Sequence, residues 1–171
     1  IGSGSTMPYG NIEIDMSGGI YIHLDGEKSV AIGGRSNDGG SHIRIRCKEL
    51  EITQLGKKTL SIGSLLSPAD IVIEGTHVEL EHHSKTALGI GSFSDPCNIS
   101  ISSGISEFIM SGDKVGCIGS FNSCGGRTDM TSVRVITELK AKEILGIGAD
   151  KRFGEIVMNN CTFNSLIEGA E

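Results

Sequence analysis

Leu88-Gly89-Ile90-Gly91-Ser92 decides the fold, because its core pattern returns along the whole chain. Isoleucine, glycine and a small residue recur at Ile1-Gly2-Ser3, Ile32-Gly33-Gly34, Ile62-Gly63-Ser64, Ile90-Gly91-Ser92, Ile118-Gly119-Ser120 and Ile147-Gly148-Ala149. Successive anchors are 31, 30, 28, 28 and 29 residues apart. A period this constant is the signature of a repeat architecture, in which each unit buries its apolar face against its neighbours.

Each anchor is followed by an apolar-x-apolar pair: Ile12 and Ile14, Ile43 and Ile45, Ile71 and Ile73, Ile99 and Ile101, Val133 and Val135, Ile156 and Met158. Such alternation is the period of a strand with one buried face. A third element follows in the first four units: Ile20 and Ile22, Leu50 and Ile52, Val78 and Leu80, then Phe108. Polar turns such as Gly56-Lys57-Lys58-Thr59 and Gly112-Asp113-Lys114 lead into the next anchor. Three strands and their turns make one coil. Stacking puts isoleucine on isoleucine at about 4.8 Å, and sets Glu13 and Asp15 beside Arg44 and Arg46. The predicted fold is all-β: a single-chain, three-sided parallel β-helix of five to six coils, 28–31 residues each. Parallel crossovers favour the right hand. Residues 1–171 read as one β-solenoid domain, excised from a longer protein. Thr137 to Leu145 is composed of good helix formers, but its place in the repeat predicts strand and turn.

Composition bounds the rest. Apolar residues are 37% and charged residues 21% of 171, too apolar for general disorder. The 25 glycines follow no Gly-X-Y period, which excludes collagen. Aromatics are 4% and Trp is absent, so the core must be aliphatic. No apolar run approaches the ~20 residues a membrane helix needs, so no membrane insertion is expected. A net charge of -6 argues against nucleic acid as a partner. Five cysteines leave at least one thiol unpaired, and their spacing matches no zinc pattern.

Ala31-Ile32-Gly33-Gly34 and Leu88-Gly89-Ile90-Gly91-Ser92, each followed by a polar turn and an Ile-x-Ile strand, resemble the "AIGGG … ITI" repeats of large surface proteins in gut Firmicutes. That resemblance spans essentially the whole chain and rests on fold-making motifs. It implies an extracellular, non-catalytic adhesion or glycan-associated role.

Several surfaces are candidates for contact. Small residues flank each anchor isoleucine: Ala31, Ser61, Gly89, Cys117 and Gly146 before it, Gly33, Gly63, Gly91, Gly119 and Gly148 after it. With the isoleucine inward, both neighbours point out, giving a flat, nearly bare face for another sheet, a glycan or a protein. The competing reading is that glycine serves the bend, or that a loop covers the face. Phe93 and Phe121 hold equivalent places, either as an exposed ledge or as lids on the core. Ser3, Ser64, Ser92 and Ser120 are assigned to structure, bonding their own turns. The fifth connection, 15 residues from Ile118 to Val133, reads as a bulging loop that contains Arg127. Lys28, Lys58, Lys85, Lys114 and Lys142 gather before the anchors, where they could grip an anionic polymer such as an acidic glycan, and a solvated corner is the favoured reading. Glu51, Glu79 and Glu107 fall at equivalent outward positions, a weak metal candidate beside the commoner solvated face. Cys97 and Cys124 lie in adjacent coils within reach of a disulfide, whereas Cys47 and Cys117 read as core or face residues.

Catalysis has little support. His23, His42, His77, His82 and His83 have no partnered nucleophile, and the His82-His83 pair reads as a solvated turn. The expected function is a non-enzymatic interaction or adhesion module of a bacterial surface protein, with no cofactor. Glycan binding or polysaccharide processing is a second class, and an intracellular sensing domain, cytoplasmic, a third. Both solenoid ends read as uncapped, which predicts self-association.

Overall fold

The computed structural model describes residues 1–3, 10–34, 41–122, 126–151 and 154–169. These form β1 (Gly2–Ser3), β2 (Ile12–Asp15), β3 (Gly19–Asp25), β4 (Lys28–Gly34), β5 (Ser41–Arg46), β6 (Glu49–Ser64), β7 (Ala69–Glu74), β8 (His77–Ser92), β9 (Cys97–Ser120), β10 (Gly126–Ala149), β11 (Glu155–Asn159) and β12 (Thr162–Gly169). All pairings are parallel, and no helix occurs among the described residues. The chain is a three-sided β-solenoid of about 5 turns. β6 and β8 each turn one corner, while β9 and β10 run unbroken along all three sides.

The repeat is the register. On the first side Ile32, Ile62, Ile90, Ile118 and Ile147 stack in one column. Ile43, Ile71 and Ile99 stack on the second side, and Ile22, Ile52, Leu80 and Phe108 on the third. These columns meet in one continuous core. Phe108 needs more room than the leucine before it, and Gly89 supplies that room: a Cβ there would stand 2.7 Å from the ring. Thr137 to Leu145 lies within β10, with Thr137, Leu139 and Ala141 buried and Glu138, Lys140 and Lys142 exposed. Period-2 burial overrides the local helix preference.

The fifth coil corrects the sequence reading. Thr128 and Met130, rather than Val133 and Val135, take the second-side places opposite Ile99 and Ile101. Val133 and Val135 stand on the third side opposite Gly104 and Ser106. Thr128 is polar and Met130 unbranched, so the wholly apolar, β-branched Val-x-Val gives the stronger strand signal. The step from Ile118 to Thr128 is 10 residues, against 9 to 11 in the other coils. The fifth connection is therefore no longer than the others, and its residues 123–125 lie outside the described residues.

The first side carries two further corrections. Its ladder pairs Leu60 with Leu88 and Ile62 with Ile90 but skips Ser61 and Gly89, a bulge-like break that recurs from Ala31 to Gly146. The residue before the anchor isoleucine consequently points inward beside it, as Ala31 and Cys117 do in the core. The outward row is Leu60 and Leu88, roofed by Leu65, Phe93 and Phe121 in a second apolar cluster. The expected bare face is thus covered. The lysine column also shifts, to Lys28, Lys58, Thr86, Lys114 and Glu143, with Lys85 and Lys142 one place off register.

At the next corner Ser64 and Ser92 bond their own turns as expected, whereas Ser120 reaches back to the turn before it. Ser64 Oγ accepts from the backbone N–H of Ser67 (3.0 Å), and Ser92 Oγ from that of Asp95 (3.1 Å). Ser120 Oγ donates to the Asp95 carbonyl of the preceding turn (3.2 Å).

Candidate functional site

The outer surface of the third side is the most distinctive on the described molecule. Alternate residues of β6, β8 and β9 point outward there. Glu51, Glu79 and Glu107 stack in register, as the sequence predicts. Beside them stand Glu49 and His77 in one flanking column, Glu81 in the other, and His83 beyond it. No lysine or arginine projects from this surface between the corners of these three coils. Tyr21 extends the patch by donating its hydroxyl to Glu49 Oε2 (2.7 Å), and that carboxylate raises the phenol's pKa.

His77 turns the glutamate column into a mixed donor set, because it lies two residues before Glu79 on the same strand face. Its Nε2 is 3.4 Å from Glu107 Oε1. One ligand atom from each of His77, Glu79 and Glu107 lies within 4.8 Å of the other two. The imidazole nitrogen is shut off from solvent and makes no hydrogen bond. Glu79 is pushed above the ordinary carboxylate range, first by partial burial, then by repulsion from Glu107 and Glu51. By contrast, His83 is spoken for: its Nε2 lies 2.9 Å from Glu81 Oε1 and its Nδ1 2.8 Å from Ser111 Oγ. The sequence pointed to the glutamates and missed His77, although period-2 alternation from Glu79 would have found it.

The other expected contacts have structural duties. Gly33, Gly63, Gly91 and Gly119 are buried, and Gly148 is half-buried in the last coil. Gly63 has φ +135°, and a Cβ on it would stand 1.9 Å from the Gly91 carbonyl oxygen. Only glycine allows coils so close an approach. Phe93 and Phe121 are buried lids, 5.4 Å apart edge to face, with Lys58 over one ring and Lys114 over the other. Arg127 is exposed on the second side, held by Asp129 (2.6 and 2.8 Å) and Glu155 (2.7 Å), which raise its pKa further. Arg46 pairs with Asp15 (3.6 Å) as the register predicts, whereas Arg44 turns to Glu74 of the third coil (2.9 Å). Cys97 is a buried free thiol whose pKa burial pushes up to about 11. Its proposed partner Cys124 lies outside the described residues.

His82 is the largest departure from expectation. It is not at a solvated turn but fully buried within the core. Its Nδ1 lies 2.7 Å from Thr59 Oγ1 and its Nε2 2.7 Å from Ser61 Oγ. Ser61 donates to Gln54 Oε1 (3.1 Å), and Gln54 Nε2 donates to Ser29 Oγ (2.9 Å). With the Ser61 proton so committed, His82 must donate from Nε2 and accept at Nδ1. Burial pushes its pKa down to about 3, so the ring is neutral.

No protein-family model, curated protein or solved structure matches this chain.

Proposed function

We propose that this chain is a non-enzymatic interaction module, of the adhesion type that its repeats imply for a bacterial surface protein, and that its contact is the acidic third side. The single observation that carries this is the run Glu49, Glu51, Glu79, Glu81 and Glu107, with no lysine or arginine on this side of the second to fourth coils; Arg134 and Lys140 stand on the fifth. Like charges at strand spacing cost stability, and a cationic partner would offset that cost. The partner class is accordingly a lysine- or arginine-rich protein segment. Oligolysine should bind the chain in a salt-sensitive manner. The Glu51→Gln/Glu79→Gln/Glu107→Gln triple variant should lose that binding. Absence of oligolysine binding at low salt would overturn the reading.

A second reading, glycan binding, is supported by the hollow on the second side. His42, Asp70, Asn98, Ser100 and Asp129 line it with Val72, and Asn98 donates to Asp70 Oδ1 (2.8 Å). Binding on a glycan array that Asn98→Ala abolishes would favour it over the acidic face. Self-association is a further part of the proposal, supported by the exposed apolar side chains Phe163 (48%) and Ile167 (59%) of β12. A monodisperse monomer by light scattering at high concentration would rule it out. Protease accessibility on intact cells tests the surface location against the cytoplasmic alternative.

A further inference from the structure

We infer that His77, Glu79 and Glu107 bind one divalent transition-metal ion of the zinc class across the seam between the third and fourth coils. The inference stands on the geometry of this face and not on what the face contacts, so a failure of oligolysine binding leaves it untouched.

Three observations carry it. The donors are mixed, and an imidazole selects zinc, copper or nickel over calcium and magnesium, which prefer all-oxygen sites. His77 Nε2 is screened from solvent and points at the carboxylate pair, facing Glu107 Oε1 outside hydrogen-bond geometry. The spacing also fits. Zinc bonds of about 2.1 Å in a tetrahedron set donors about 3.4 Å apart. His77 Nε2 and Glu107 Oε1 are already 3.4 Å apart. Glu79 completes the group within 4.8 Å, so it needs a shift of at most about 1.4 Å to reach the tetrahedral edge. Its backbone is fixed by direct pairing of Glu79 with Glu107 and of His77 with Ile105, so only side-chain torsions need change. Three protein ligands leave the fourth position for water, or for a donor from whatever docks on the face.

The test is calorimetric titration of zinc chloride into the metal-stripped full chain, with calcium and magnesium chloride as comparators. Nuclear magnetic resonance of the histidine rings runs alongside, because thiols also take zinc. Expected are saturable binding of one zinc per chain that shifts the His77 ring signals, and much weaker calcium and magnesium binding. His77→Gln should weaken the zinc affinity at least about tenfold, while His83→Gln leaves it unchanged. Should His77→Gln fail to fold, the ring shift of the unaltered chain decides. Zinc that leaves the His77 signals in place, or that binds His77→Gln as well as the original, would overturn the inference.

Discussion

Gly116 leaves the hollow that Phe121 fills: a Cβ at Gly116 would stand 2.7 Å from the Phe121 Cζ and 3.1 Å from Leu88 Cδ1. The outward row of the first side thus exchanges a leucine for a glycine where the roof supplies the ring. Gly116→Ala should cost about 1–3 kcal/mol by overpacking, and Phe121→Ala about 3–5 kcal/mol by emptying the roof. In the double variant Gly116→Ala/Phe121→Ala the two changes should be far from additive, because the smaller side chain gives the new methyl its space. Urea unfolding of all four proteins measures this. Strict additivity would mean that the ring does not rest in that hollow.

His82 makes stability depend on pH in a specific direction. Its ordinary value of 6.5 falls to about 3 in the fold, so the unfolded chain takes up a proton that the folded core refuses. Its contribution is therefore complete above pH 6.5 and is lost as pH falls from there towards 3. The expected slope in that window is about 1.4 kcal/mol per pH unit. His82→Gln should be less stable at pH 7 yet lack that part of the slope, and comparing the two curves removes the carboxylates common to both. Parallel curves would place the ring in contact with water.

The period, the three sides and most of the register were legible because glycine at Gly63 and isoleucine at Ile62 answer to constraints that repeat in each coil. Less legible was whatever departs from alternation. The break at Ser61, which turns two successive residues inward, leaves no mark in hydropathy, so strict alternation predicts a bare first side. Thr128 and Met130 fill an apolar slot without resembling one. His82 is polar and lies in the core only because Thr59 and Ser61, far off in sequence, arrive to satisfy it. The candidate site was half visible: its carboxylates form a column in the repeat, while His77 stands in the column beside it.

Two glycines of the same anchor region should respond oppositely to alanine. Gly63→Ala forces a methyl to within 1.9 Å of the Gly91 carbonyl oxygen at a φ of +135°, with backbone on the other side of the clash. A loss of more than about 4 kcal/mol is expected, among the most severe for a point change. Gly146→Ala meets nothing within 4 Å and sits at an ordinary φ, so it should be neutral or slightly stabilising. Thermal unfolding of the two variants checks the pair. Equal effects would mean that the coils do not approach through their anchor glycines.

Glu79 bears on stability and function together. Partial burial and two flanking carboxylates raise its pKa, so its ionised form is the one the fold disfavours. Because its folded value lies above its unfolded value, the penalty is absent well below the unfolded pKa. It develops as pH rises through the folded one. Glu79→Gln should therefore stabilise the metal-free chain at pH 7, by about half a kcal/mol once solvent screening is allowed for. At pH 3 the gain should vanish. Added zinc should reverse the order at pH 7, raising the Tm of the original chain above that of Glu79→Gln, since the substitution removes a ligand along with the repulsion. A Glu79→Gln chain that is less stable than the original at pH 7 without metal would show that the glutamate column is held by something other than tolerance of its own repulsion.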